Sequence, residues 1–175
     1  MSRKFDVCVR GGGVVGHALA LLLARDRLRV ALVRQPAPAG ALADIRAYAL
    51  NAASRALLQD LRVWPDAHPG TGAEYAVTEV RQMRISEPYA EPPASLTFGG
   101  SDLATGGGAL AWIVDVPALE QKLAQAVRFQ GGIELLEPDA SAKIKAALTV
   151  VCEGKRSSTR DEWGLAFDVR PYPQT

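Results

Sequence analysis

The sequence has few of the residues that build disulfide frameworks and metal sites. It holds two cysteines and two histidines in 175 residues, and no Cys/His spacing resembles a zinc site, so we expect no metal. Cys8 and Cys152 are far apart, and each stands in an apolar, strand-like run. We therefore interpret both as reduced, buried thiols of a cytoplasmic protein and not as a disulfide.

The sequence also has no excess of either charge and no long hydrophobic run. The net charge is +1 and the basic residues are scattered, which gives no electrostatic reason to expect nucleic-acid binding. The longest apolar run, Ala18 to Ala24, is far below the roughly 20 residues that span a bilayer. The hydrophobic fraction of 48% is enough for about one domain with a real core.

The N-terminal third follows the pattern of a βαβ unit. Phe5 to Arg10 is typical of a buried strand, Val14 to Arg27 is apolar nearly all round like a buried helix, and Arg29 to Arg34 is a second β-branched run. A crossover of this kind makes the two strands parallel. The sequence therefore predicts an α/β protein with a Rossmann-like parallel sheet.

The middle of the chain has a different pattern of predicted secondary structure. Residues 47–61 carry leucines at helical spacing, and the turn-rich stretch 65–74 is expected to be a linker. Strands are predicted at 77–86, 95–98 and 110–114, with a flexible loop at 99–108, and we interpret 76–113 as an insertion that belongs to an antiparallel sheet. Asp115 is expected to cap the next helix, with Pro117 in its first turn. Two further strands are predicted at 133–136 and 148–152.

A glycine motif follows the first strand directly. Gly11, Gly13 and Gly16 fit G-x-G-x-x-G, with Val14 and Val15 between the last two. In a dinucleotide site the first glycine allows the tight turn, the second admits a pyrophosphate, and the third lets helix and strand pack closely. The N–H groups and the positive end of the helix then face the phosphates. The alternative is a tight turn with a purely structural role.

Arg34 ends the second strand, where such sites normally carry an acidic residue that accepts the ribose hydroxyls. An arginine at this place can pair with the 2′-phosphate of NADP. It can equally be a solvated strand-end residue in a site that has lost one contact. The sequence leaves both interpretations open.

Two later stretches carry a family resemblance. They are "DIRAYALNAASRALLQDLRVW" (44–64) and "VCEGKRSSTRDEWGL" (151–165). With the glycine turn, these motifs resemble the N-terminal portion of the FAD-dependent aromatic-ring monooxygenases of the para-hydroxybenzoate hydroxylase fold, and most closely the ubiquinone-biosynthesis hydroxylases. The resemblance implies an FAD-binding domain formed by 1–75 and 114–175, with 76–113 as the inserted part of a substrate-domain sheet.

The resemblance also implies a cofactor, a reaction and site residues. FAD would be the cofactor, NAD(P)H the reductant, O₂ the oxidant, and a small aromatic molecule such as a ubiquinone precursor, with or without a prenyl chain, the substrate. Gly11, Gly13 and Gly16 would contact the pyrophosphate, and Arg46 would reach the cofactor from its loop. Glu153 and Gly154 would supply the second motif. No catalytic side chain is assigned, because the flavin performs the difficult step.

Some residues depart from the family pattern. Arg34 replaces a usual Glu, Glu153 replaces a usual Asp, and Val116-Pro117 stand where an arginine is often found. Family chains are also roughly twice as long. Arg46 has the alternative of a surface ion pair with Asp44, and Glu153 that of a solvated loop carboxylate.

Three functions remain open at this point. The first is the FAD-dependent hydroxylase or its N-terminal part, the second a non-catalytic relative that acts as a binding or assembly partner, and the third a plain NADP-binding oxidoreductase. We expect a location in the cytoplasm, either free or peripheral at the inner membrane. Self-association through the unpaired edge of 77–98, or membership of a biosynthetic complex, is also expected.

Overall fold

The computed structural model describes residues 4–34, 44–65, 76–87, 89, 94–103, 107–138, 144–166 and 168–171. The chain divides into two compact units, Met1–Ala39 with Val127–Thr175, and Gly40–Ala126. In chain order the elements are β1 (Lys4–Arg10), α1 (Val14–Arg25), β2 (Val30–Val33), β3 (Ala47–Leu50), α2 (Ala52–Asp60), β4 (Val77–Val80), β5 (Gln82–Glu87), β6 (Ala94–Gly99), β7 (Ala111–Asp115), α3 (Val116–Phe129), β8 (Ile133–Leu136), β9 (Lys145–Val151) and α4 (Ser158–Glu162).

The first unit contains a parallel sheet with the strand order β8-β2-β1-β9. All four residues of β2 are buried, as expected of a central strand covered on both faces. The helix α1 connects β1 to β2, which confirms the predicted βαβ unit and α/β fold. The helix ends at Arg25, earlier than predicted, because Arg27 adopts a left-handed conformation with φ of 64° that a helix cannot continue through.

The second unit contains antiparallel strands. The strand β7 pairs with β3 on one side and with β4 on the other, while β5 and β6 pair with each other in a separate two-stranded sheet. Antiparallel pairing was predicted for the insertion 76–113 and is present. The prediction of one strand over 77–86 was wrong, because Arg81 separates β4 from β5 and the two strands have different partners.

The prediction of a single helix over 47–61 was also wrong. Residues Ala47–Leu50 form β3 instead, since their backbone pairs with β7, and a helix of nine residues follows over Ala52–Asp60. Asn51 separates the two elements by accepting a hydrogen bond from the Ser54 N–H at 2.9 Å, as an N-cap does. Pairing with a neighbouring strand overrides the helical spacing of the leucines.

Other local predictions have mixed outcomes. Asp115 accepts a hydrogen bond from the Ala118 N–H at 2.9 Å, which confirms the cap of α3. The predicted flexible loop 99–108 contains a turn of 3-10 helix at Gly100–Asp102, and 104–106 lie outside the described residues, as does most of the predicted linker 65–74. Both cysteines are free, and burial raises the pKa of each thiol.

The two units do not follow the predicted domain limits. Residues 40–75 and 114–126 fall into the same compact unit as 76–113. The pairing of β3 with β7 accounts for part of this difference, because it places a segment before residue 75 in the sheet of the insertion. The assignment of 1–75 and 114–175 to FAD binding stays a prediction. Within the described parts of the chain, no helix has the length and apolarity that crossing a membrane requires.

Two glycines allow β1, α1 and β9 to pack closely. Gly11 has φ of 119°, and a methyl group there would overlap the carbonyl of Cys152, the residue that follows β9. A methyl group on Gly16 would overlap the carbonyl oxygen of Gly11. These positions accept only glycine for reasons internal to the protein.

We predict that Gly16→Ala lowers the free energy of unfolding by roughly 1–3 kcal/mol, because the added methyl group has no space between helix and turn. Urea denaturation monitored by circular dichroism measures the change. Gly131→Ala is the matched control, since no residue in the described part of the chain lies within 4 Å of a methyl group there. Its effect is expected to stay within about 0.5 kcal/mol. Equal effects of the two substitutions would contradict the close-packing argument.

Candidate functional site

The glycine turn between β1 and α1 leads into the N-terminus of a helix. The first turn of α1 contains no acidic side chain. Its N–H groups have no acceptor within the helix, and the helix dipole adds partial positive charge at this end. Val15, between the second and third glycines, is 67% exposed. The turn therefore has the properties of an anion-binding site.

Gly13 differs from the other two glycines of the motif. It has φ of −84° and ψ of −173°, a conformation open to any residue, and nothing lies within 4 Å of a methyl group placed on it. Neither backbone conformation nor packing within the described residues requires glycine here. A ligand that approaches the backbone closely, as a pyrophosphate does in dinucleotide sites, would explain why this position has no side chain. The residues present thus fit a dinucleotide.

His17 supports the turn from inside the protein. Its side chain is buried, and its Nδ1 lies 3.0 Å from the Gly13 carbonyl oxygen, so a protonated Nδ1 donates a hydrogen bond to it. The Gly13 carbonyl also accepts from the His17 backbone N–H at 3.0 Å. Both contacts direct the Gly13 carbonyl into the helix. Because a trans peptide is planar, the Val14 N–H of the same peptide unit points in the opposite direction, out of the helix end. His17 has a structural role in this geometry.

Arg34 lies beside the glycine turn. Its backbone N–H donates to the Leu136 carbonyl at 3.0 Å, which holds the end of β2 in the sheet. A methyl group on Gly12 would meet the Arg34 Cβ at 2.9 Å and its Cδ at 3.0 Å. The aliphatic part of the arginine therefore covers the middle of the turn, at the place where the sequence predicts a cofactor-binding residue.

Glu153 is not a solvated loop carboxylate. Its side chain is 8% exposed and accepts three hydrogen bonds, from the Ser157 hydroxyl at 2.7 Å, the Thr159 N–H at 2.9 Å and the Thr159 hydroxyl at 2.7 Å. Burial alone would raise the pKa of Glu153, but these bonds and the charge of Arg10 lower it. The carboxylate therefore holds the segment that follows β9. Next to it, the exposed Gly154 adopts φ of 70°.

Arg10 joins this segment to β1, and sequence reasoning missed it. Its guanidinium donates two hydrogen bonds to the Glu162 carboxylate, from Nη1 at 2.9 Å and from Nη2 at 3.3 Å, and its Nε lies 3.8 Å from Glu153 Oε1. In the sequence, Arg10 is only the last residue of a predicted strand. An arginine directly before the glycine motif is the signal that was available.

Arg46 lies in the second unit, in a cluster of its own. Its Nε donates to Asp44 Oδ1 at 2.9 Å and its Nη2 to Asp44 Oδ2 at 2.7 Å, with Glu120 3.6 Å away. This pairing lowers the pKa of Asp44 and raises that of Arg46. The predicted alternative, an ion pair with Asp44, is therefore present, and the role of Arg46 toward a cofactor stays a prediction.

The second unit also contains a cavity of about 440 Å³, which is within the usual size of small-molecule pockets. Arg55, Glu79, Arg81 and Trp112 are among the residues that line it. The Arg55 guanidinium carbon lies 4.4 Å from the centre of the Trp112 ring, a cation–π distance. Within the residues described, no cluster of His, Cys, Asp and Glu is suited to a metal.

Comparisons with known proteins find relatives by sequence and neighbours by structure. No family model matches the chain. The 3-demethoxyubiquinol 3-hydroxylase of Escherichia coli is 28% identical over 193 residues, which cover 97% of this chain and 46% of the enzyme. An uncharacterised protein of Synechocystis is 27% identical over 98% of this chain and 44% of its own length. The chain thus spans about half the length of the curated relatives it matches.

Solved structures also match nearly the whole of this chain with half or less of their own length. PqsL, a probable FAD-dependent monooxygenase from Pseudomonas aeruginosa, superimposes with a TM-score of 0.69 at 16% identity, over 98% of this chain and 48% of PqsL. The flavin-dependent monooxygenase PieE, solved with FAD and substrate, gives 0.61 at 20% identity, over 95% of this chain and 33% of PieE. The chain therefore has the α/β fold found in part of these flavin-dependent monooxygenases.

Proposed function

We propose that this chain is the FAD-binding N-terminal portion of an oxidoreductase that hydroxylates an aromatic ring. The observation that carries the proposal is Gly13, a glycine that neither the backbone conformation nor the packing of the described residues requires. Its place between two glycines that the packing does require, at a helix N-terminus without an acidic residue, supports a pyrophosphate ligand.

In this proposal the protein supplies binding and orientation. The turn of Gly11, Gly13 and Gly16 holds the pyrophosphate through backbone N–H groups, including those of Val14 and Val15. FAD, when bound, supplies the redox chemistry that transfers oxygen to the ring. Glu153 contributes by fixing the turn at Gly154, since its carboxylate is already engaged by Ser157 and Thr159. Arg46 contacts the cofactor from its loop.

We also propose a substrate class and a reductant. The likeness to the 3-demethoxyubiquinol 3-hydroxylase of Escherichia coli supports an aromatic substrate related to ubiquinone precursors, with or without a prenyl chain. NAD(P)H would be the reductant and O₂ the oxidant, as in the family the chain resembles. We propose a location in the cytoplasm, either free or peripheral at the inner membrane.

An exposed apolar face supports association with another protein surface. Met83 lies directly opposite Phe98, and Ile85 opposite Leu96, so that four apolar side chains occupy one face of the β5–β6 pair. All four are exposed within this chain. We propose that this face mediates self-association or attachment within a biosynthetic complex.

Arg34 favours a second candidate, an NADP-binding oxidoreductase. Its side chain lies against Gly12 at the end of β2, where an arginine can pair with the 2′-phosphate of NADP. A third candidate, a non-catalytic relative, is favoured by the replacement of the acid at this position. We rank FAD first because the fold matches that of flavin-dependent monooxygenases over nearly the whole chain.

We predict that Gly13→Ala weakens FAD binding about ten-fold or more, because a methyl group would occupy the space of the pyrophosphate at a cost of roughly 1–3 kcal/mol. Quenching of flavin fluorescence on titration with protein measures the dissociation constant. Unfolding stability is expected to change little, since none of the residues that the structure describes lies within 4 Å of the new methyl group. Gly131→Ala is the control, and equal FAD affinity in wild type, Gly13→Ala and Gly131→Ala would refute the assigned site.

We predict opposite effects of Arg34→Glu on the two cofactors. Glutamate would accept a hydrogen bond from the FAD ribose and tighten FAD binding by about 1 kcal/mol. It would repel the 2′-phosphate of NADP and remove any NADP binding. Titration of both proteins with both cofactors separates the candidates. Strong NADP binding by wild type that the substitution abolishes would favour the second candidate over FAD.

We predict that the 175-residue chain alone forms no hydroxylated product from NAD(P)H and an aromatic substrate. Oxygen transfer from a flavin needs a site that excludes water, and this chain spans only about half of its relatives. Any NAD(P)H consumed should appear as hydrogen peroxide. The ratio of hydroxylated product to NAD(P)H consumed tests this, and a ratio near one for this chain by itself would prove the prediction wrong.

A further inference from the structure

We propose that Arg10 is a positioning residue that holds the turn at Glu153 and Gly154 beside the glycine turn. The inference rests on the proposed function in one respect, namely that both turns contact FAD. Arg10 is the last residue of β1 and directly precedes Gly11. No part of the G-x-G-x-x-G pattern requires an arginine there, so its role has to come from its own contacts.

The side chain of Arg10 connects two elements that follow β9. Its guanidinium forms a two-pronged pair with Glu162 at the end of α4, with distances of 2.9 and 3.3 Å. The same group lies 3.8 Å from Glu153, at the start of the segment. Arg10 is only 16% exposed, whereas Glu162 is 53% exposed. A carboxylate at each end of the segment 153–162 thus lies within ion-pair distance of one largely buried cation.

The backbone contacts near Arg10 are independent of its side chain. The Cys152 N–H donates to the Arg10 carbonyl, and the Gly11 N–H donates to the Val33 carbonyl. Glu153 also keeps its bonds from Ser157 and Thr159 without Arg10. Loss of the guanidinium should therefore leave the sheet intact and release the segment 153–162 from the end of β1.

Charge explains why an arginine is suited to this place. Glu153 and Glu162 are two carboxylates near one guanidinium, and removal of that cation leaves a largely buried Glu153 without its counter-charge. A lysine keeps the charge but lacks the planar fork that binds a carboxylate in two places. Arg10→Lys should therefore restore part of the function that Arg10→Met loses.

The test compares four variants with wild type in two measurements. The variants are Arg10→Met, Arg10→Lys, Glu162→Gln and the control Arg128→Met, which removes an exposed cation from the same unit. Hydrogen–deuterium exchange with mass spectrometry follows the amides of 153–162, and flavin fluorescence gives the affinity for FAD. Glu162→Gln serves as the milder variant should Arg10→Met fail to fold.

We expect Arg10→Met to speed exchange in 153–162 about ten-fold and to weaken FAD binding by a similar factor, as the loss of hydrogen bonds between charged groups implies. Arg10→Lys should lie between Arg10→Met and wild type, and Glu162→Gln should show a smaller effect of about two- to three-fold because Glu162 is half exposed. Arg128→Met should match wild type in both measurements.

Two results would overturn the inference. One is unchanged exchange in 153–162 in both Arg10→Met and Glu162→Gln. The other is faster exchange in that segment with FAD affinity equal to wild type, which would reduce Arg10 to a structural role. Failure of the proposed function would give a different result, because wild type itself would then bind no FAD. The exchange measurement would still show whether Arg10 holds the segment 153–162.

Discussion

The close approach of β1 and β9 at Gly11 is the constraint on which the rest of the first unit depends. The Cys152 N–H bonds to the Arg10 carbonyl, and the Gly11 N–H bonds to the Val33 carbonyl at 2.9 Å, so three parallel strands end at one place. Because any side chain on Gly11 would displace the Cys152 carbonyl, the chain has to turn here without one. As a result, the glycine turn and the turn at Glu153 lie side by side at the carboxyl ends of the strands, where ligands of open α/β sheets bind.

The three glycines of the motif serve different physical purposes. Gly11 and Gly16 remove side chains that would collide with the protein itself, while Gly13 leaves space that no described residue fills. The N–H groups at this place come from a helix end without an acidic residue in its first turn, which favours an anion. The recognition of a phosphate thus depends on the backbone, and the charged side chains nearby, Arg10 and Glu153, are engaged with each other and with their neighbours.

The sequence predicts the parts of this arrangement that depend on local pattern. The βαβ unit and the parallel sheet follow from hydrophobic runs and glycine spacing, and both are confirmed. The strand Ala47–Leu50 could not be predicted, because its conformation comes from pairing with β7, far away in sequence. The burial of Glu153 was missed for a different reason. Its partners Ser157 and Thr159 are near in sequence, but they bond to it through a turn in which Gly154 adopts the left-handed region. The pairing of Asp44 with Arg46 is local and was weighed from the sequence.

The binding of FAD at the glycine turn is tested most directly by nuclear magnetic resonance on ¹⁵N-labelled protein. Amide resonances are followed while FAD is added, and in a parallel titration while NADP is added. We expect FAD to cause saturable shifts in the amides of Gly12, Gly13, Val14 and Val15 and in that of Gly154, and NADP to cause none. Unchanged resonances in the glycine turn at saturating FAD, or shifts there with NADP alone, would contradict FAD binding at this turn.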